Sequence, residues 1–177
     1  MAVTDWLIGN ANDVLLDSFH DEYTGAVEND VTAFLSLCTS VPVAIVGATN
    51  AAPIVITTAG PHGRSTGDIV TIVNVGGNGA AKGTFTITVL TSTTFHLGGG
   101  SAGDGVYTGG GEVYQCIANA SAMPMVSVGA GSYLVSKDGS LPLVDGQQLA
   151  LVIYCLGTYR DFFNAILPVF ARRRTLS

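Results

Sequence analysis

Ile69-Val70-Thr71-Ile72-Val73-Asn74-Val75, then Gly76-Gly77-Asn78-Gly79, then Gly83-Thr84-Phe85-Thr86-Ile87-Thr88-Val89-Leu90: this stretch decides the fold class. β-branched residues fill both apolar runs, and glycine and asparagine separate them. Thr71, Val73 and Val75 alternate with Ile72 and Asn74, the period of two expected of a half-buried strand. The same grammar repeats along the chain. Short β-branched segments are bounded by Gly, Asn, Asp and Pro, and 23 glycines punctuate them. Strands are predicted at 6–8, 13–19, 31–38, 43–46, 54–58, 69–75, 83–90, 94–97, 112–118, 123–128, 131–136, 148–156 and 162–171. Residues 159–167 are the one stretch with helical character, and Pro168 would end it. Its bulky apolar continuation, Phe162 to Phe170, reads better as a strand. The chain is therefore expected to be all-β, a sandwich or a barrel.

Composition shifts twice. Between Val41 and Gly111 only Arg64, Asp68, Lys82 and Asp104 carry charge, whereas acidic and aromatic residues return on either side. Pro42 and Gly109-Gly110-Gly111 mark the joints. The pattern predicts a Gly/Thr-rich β module, residues 41–111, a small barrel or sandwich inserted into a loop of a domain made from residues 1–40 and 112–177. The strand ending near Cys38 and the strand starting near Tyr114 would then be neighbours, since insertions succeed at exposed turns whose ends lie close together.

Charge and composition exclude several functions. A net charge of −6 argues against phosphate-backbone binding, so no nucleic-acid partner is expected. No apolar run approaches the ~20 residues needed to cross a bilayer, so no membrane partner is expected. No segment has a signal-peptide pattern, so no export is expected. Only 11% of residues are charged, against roughly 25% in an average domain. Uncharged surface desolvates at little cost, which favours burial against neighbouring subunits and homo-oligomer formation. Two segments stand out as candidate contacts: Trp6-Leu7-Ile8, containing the only tryptophan, and Arg172-Arg173-Arg174. The arginines are either a solvated tail or a basic tail that docks on an acidic neighbour.

Reactive constellations are sparse. His62, Ser65 and Asp68 form the only compact nucleophile–base–acid set, and within one turn region their expected role is local backbone hydrogen bonding. Asp21-Glu22 and Glu28 with Asp30 lie in loop sequence, without the aromatic cleft of a glycosidase. Gly76-Gly77-Asn78-Gly79 and Gly98-Gly99-Gly100 lack the Lys-Ser/Thr of a phosphate loop and read as hairpin turns. Asp13, Asp17 and Asp21 lack the tight glycine-containing loop of a calcium site. Cys38, Cys116 and Cys155 have no zinc spacing and read as small buried hydrophobes in strands. A bridge between two of them is the alternative, disfavoured for a chain with no export signal. No enzyme, metal or cofactor is expected.

Two resemblances sharpen this reading. Gly47-Ala48-Thr49-Asn50-Ala51-Ala52-Pro53-Ile54-Val55-Ile56-Thr57-Thr58, Pro61-His62-Gly63-Arg64-Ser65-Thr66-Gly67-Asp68, Gly76 to Phe85 and Gly105-Val106-Tyr107-Thr108-Gly109-Gly110-Gly111 follow one another in order. Together they resemble a β repeat found in tail, baseplate and other virion proteins of tailed phages. Phe85 and Phe95 would form its small core, with Tyr107 as a cap. The flanking halves, through Asp21 to Ala33, Gly129 to Tyr133, Leu143 to Gln147 and Leu167-Pro168-Val169, resemble an Ig-like β-sandwich of phage structural proteins. They depart from it at Leu156 to Phe163, where glycines would be expected. The resemblance implies a non-enzymatic virion protein, assembled in the host cytoplasm, with major capsid or tail subunits as partners. Capsid decoration (cement) or a minor head role is the leading expectation. The alternative is a tail, baseplate or fibre component that binds the host surface or another tail protein.

Overall fold

The computed structural model describes residues 5–8, 12–16, 31–137, 141–156 and 164–173. The protein is all-β: among the described residues there are fourteen strands, a single 3-10 turn at Gly79–Ala81 and no α-helix. The chain divides into two compact units, residues 1–37 with 117–177, and residues 38–116.

The first unit holds two sheets. One has the order β1 (Asp5–Ile8), β14 (Asn164–Arg173), β13 (Gln148–Cys155), β3 (Ala33–Thr39), β10 (Met123–Pro124). The other has the order β11 (Val126–Gly129), β12 (Ser132–Lys137), β2 (Asn12–Leu16). Alternate residues of both sheets meet in one core: Leu35 and Leu37, Leu149, Leu151 and Ile153, and Val169 from the first sheet; Val14, Tyr133 and Val135 from the second. Side chains alternate across a strand, so two sheets that share a core in this way form a sandwich. Tyr133 ties the packing to the backbone, its hydroxyl accepting the Val31 N–H at 2.9 Å inside the core. On β13 the intervening Ala150, Val152 and Tyr154 are buried as well, with Phe34 stacked on Tyr154 at 5.7 Å. An unbroken apolar strand such as Leu149 to Cys155 needs cover on both faces, and it has it.

Residues 123–128, expected as one strand, are two. Met123 and Pro124 pair with Leu35 and Phe34 in one sheet, while Val126 and Ser127 pair with Leu134 and Tyr133 in the other. Met125, buried at the crossing, is where the chain changes sheets. Of the strand expected at 162–171, residues 162 and 163 lie outside the described residues and 164–171 are strand; β14 runs to Arg173, with Pro168 opposite Ala150. The strand tolerates this proline two residues before pairing with β1 begins at Phe170.

The second unit is a closed six-stranded barrel, β4 (Val43–Ala48), β5 (Val55–Thr58), β8 (Thr94–Leu97), β7 (Gly83–Val89), β6 (Ile69–Val73), β9 (Glu112–Gln115), with β9 returning to β4. Ile45, Ile54, Ile56, Val70, Ile72, Ile87, Phe95, Leu97 and Val113 fill it, and Phe85 and Tyr107 pack against that core partly buried. Closure leaves the barrel sheet without an open edge. The barrel departs from expectation in two places. β6 is buried on both faces, not one: Val70 and Ile72 point into the barrel, and Thr71 and Val73 are covered on the other side. Gly98-Gly99-Gly100 is no hairpin turn, because β8 pairs with β5 and β7 and the next strand, β9, pairs with β4 and β6.

The glycines instead allow backbone to pack on backbone. A Cβ on Gly77 (φ +80°) would stand 2.0 Å from the Val106 carbonyl oxygen, and one on Gly105 would stand 2.0 Å from that of Gly77. Asn78, fully buried between them, donates to the Thr49 carbonyl at 3.0 Å. The Tyr107 hydroxyl lies 3.0 Å from the Ile45 carbonyl oxygen and 2.9 Å from that of Gly110. The glycine-rich segments thus seal the barrel's long connections.

Candidate assembly surfaces and polar clusters

β1 and β14 bring the two candidate contact segments together. They pair in parallel, Trp6 opposite Ala171, Leu7 opposite Arg172 and Ile8 opposite Arg173. Arg172 and Arg173 therefore end a ten-residue strand instead of forming a loose tail. Both are exposed. The Arg172 guanidinium sits 5.5 Å from the centre of the Phe170 ring, and the Asp145 carboxylate accepts the Arg173 N–H at 2.8 Å. Arg174 lies outside the described residues, as do Asp17, Asp21, Glu22, Glu28 and Asp30.

Sequence reasoning missed a third surface. β11 is the last strand of its sheet, and among the described residues no strand lies on its outer side. All four of its residues are exposed, Val126 at 65% and Val128 at 55%. Proteins usually blunt such an edge with lysine, proline or a bulge. Here a register shift between Ser127 and Gly129 is present, but charge is not. The signal was available: no charged residue occurs between Glu112 and Lys137.

In the barrel, His62, Ser65 and Asp68 do lie in one network, with Arg64 and Gln115, and its wiring is structural. His62 is buried, its ring edge against Phe95 with centroids 5.3 Å apart. Nδ1 accepts the Arg64 N–H at 3.0 Å, which leaves the ring proton on Nε2 to be donated to the Thr91 carbonyl at 3.0 Å. Both nitrogens are committed to backbone, so the ring offers no lone pair to a nucleophile. Asp68 accepts the Ser65 N–H at 2.9 Å and Gln115 Nε2 at 3.2 Å. Arg64 donates to Gln115 Oε1 at 2.7 Å and to the Val113 carbonyl at 3.4 Å, while its buried Nε has no hydrogen-bond partner among the described residues. Burial lowers the guanidinium from its ordinary value, and Asp68 opposes that shift. The network fastens the 61–68 loop to β9 and the β7–β8 turn.

A second cluster sits where the barrel unit begins and ends. Cys38 and Cys116 face each other in an isolated antiparallel bridge, sulfur to sulfur 3.8 Å, and neither is in a disulfide. Thr71 Oγ1 lies 3.1 Å from Cys116 Sγ and 2.8 Å from Thr84 Oγ1. Cys155 stands in the sandwich core, where burial pushes its thiol up to about 12. Among the described residues no group of three or more His, Cys, Asp or Glu side chains is placed to hold a metal ion. Likewise, none of them forms a helix long and apolar enough to cross a membrane.

Comparison with known proteins returns no matching family model and no significant match among curated proteins.

Proposed function

We propose that this chain is a non-enzymatic structural component of a tailed-phage virion, a capsid decoration or minor head protein whose sandwich is the Ig-like body. The observation that carries the assembly part of this reading is the β11 edge. A strand with no described strand on its outer side, two exposed valines and no charge is a template for pairing with another chain. With 11% charged residues and a net charge of −6, a neutral edge is also where such a chain can approach another copy or a capsid subunit with least repulsion. The phage assignment rests on the ordered turn motifs from Gly47 to Gly111. The His62 network supports a structural role for the barrel, since its polar groups hold loops in place.

The test is quantitative mass spectrometry of separated heads and tails from purified virions of the phage encoding the chain. Hundreds of copies on heads support decoration. A few copies confined to tails transfer the chain to a tail or baseplate role, with the barrel as the candidate ligand-binding module. Absence from virions refutes the reading. In solution, V126K/V128K should abolish association with heads, or with another copy, while leaving the circular dichroism spectrum unchanged.

A further inference from the structure

We propose that Cys38 and Cys116 are a thiol–disulfide modification site, closing on oxidation into a cross-strand bridge that ties together the two ends of the barrel unit. The geometry of the ladder carries this. Ile117 N–H donates to the Leu37 carbonyl at 2.8 Å, so the ladder hydrogen bond next to the cysteine pair joins residues 37 and 117. Cys38 and Cys116 are then the adjacent non-hydrogen-bonded pair of an antiparallel bridge. Such pairs have Cα atoms about 4.5 Å apart, within the roughly 4.4–6.8 Å that a disulfide spans. The sulfurs already touch at 3.8 Å, so closure needs side-chain rotation and little backbone movement.

The two thiols are not equivalent. Cys38 is fully buried and Cys116 half-buried, so an incoming oxidant meets Cys116 first. With a low-molecular-weight disulfide as oxidant, Cys116 thiolate attacks one sulfur and releases one thiolate. Cys38 then loses its proton to solvent and attacks the Cys116 sulfur of the mixed disulfide, releasing the second thiolate. Two protein thiols are oxidised and one small disulfide is reduced to two thiols. In the dithiol form the hydrogen bond with Cys116, then burial, raises the Cys38 thiol well above its ordinary value, against the pull of the Thr71 hydrogen bond and the Arg64 charge. The Cys116 hydrogen bond ends when that sulfur enters the mixed disulfide, but burial remains, so the second step is slow at neutral pH and quickens as pH rises.

The consequence follows from chain connectivity. Residues 38 and 116 are the first and last of the barrel unit, so the bridge encloses the entire unit in one covalent loop. Cys155 belongs to the other unit and takes no part.

The test uses the full chain incubated with oxidised glutathione at alkaline pH, quenched by alkylation, unfolded, and analysed by thiol titration and non-reducing peptide mapping. Free thiols should fall from three to one. The Cys38 and Cys116 peptides should be linked, with a mass loss of about 2 Da, and dithiothreitol should reverse the change. C116S should leave Cys38 unmodified over the same period. Separate glutathione adducts with no link, a link to Cys155 or to a second molecule, or retention of all the thiols would each overturn the proposal.

Discussion

Replacing Tyr133 by Phe removes one oxygen atom and leaves the ring in place. The hydroxyl accepts the Val31 N–H at 2.9 Å, a contact between residues 102 positions apart, and both residues are buried in the sandwich core. Without it the Val31 N–H has lost its acceptor and cannot reach water. An unpaired buried donor costs about 1–3 kcal/mol, and nothing is gained in return because the apolar packing is unchanged. Taking about 2 kcal/mol and an m value of about 1.5 kcal/mol per molar, the urea midpoint of the sandwich should fall by about 1.3 M. The assay is equilibrium urea unfolding followed by Trp6 fluorescence. Trp6 is the only tryptophan and belongs to β1, so it reports on this unit and not on the barrel. A midpoint within a few tenths of a molar of wild type would refute the reasoning, since the Val31 N–H would then have another partner. A change in m would mean that the denatured or native ensemble had changed, and would also count against it.

Two further outcomes are expected. Gly77→Ala places a side chain at φ +80°, with its Cβ 2.0 Å from a backbone oxygen, and should destabilise the barrel by at least about 2 kcal/mol. Gly99→Ala, at φ +74° with open space around it, should cost only about 1 kcal/mol; equal melting temperatures for the two variants by circular dichroism would refute the packing argument. Stability should also fall on the alkaline side. Burial pushes Cys155 from 9.0 up to about 12, and burial, the Glu112 charge and its hydrogen bond push Tyr114 from 10.0 up to about 12. Both groups ionise more readily in the unfolded chain, so the stability they hold is complete below pH 9 and is lost between pH 9 and 12. Urea midpoints measured across that window should decline, and C155S or Y114F should flatten the decline; a flat wild-type profile would contradict the burial of these groups.

The positions of the strands were largely legible because alternation and turn chemistry are local. The split at Met125 was not. Met123 to Val128 is continuous extended chain, and only the competition of two sheets for its backbone decides where it crosses between them. The burial of Thr71 and Val73 was hidden for a related reason: a period of two identifies two faces but does not say whether the second is covered. The candidate surfaces divide in the same way. Trp6-Leu7-Ile8 and Arg172-Arg173-Arg174 were visible as unusual residue types. The pairing of Leu7 and Ile8 with Arg172 and Arg173 in one parallel ladder was not, since it joins segments far apart in the sequence. That no described strand lies beyond β11 was equally hidden, because an edge is defined by what does not pair beside it.

Local pattern is enough to show that this protein is all-β, that residues near 41 and 111 bound a stretch of distinct composition, and that glycine-rich turns punctuate it. Those properties are written in short-range periodicity and in the φ angles that glycine permits. Only the tertiary structure decided that six of the strands close into a barrel, that Gly77 and Gly105 are glycines because backbone meets backbone, that both ring nitrogens of His62 are spent on loops, and that Cys38 faces Cys116. Each of these depends on which distant segments become neighbours. That choice is made by the shared burial of side chains from strands far apart in the chain, which no local pattern encodes.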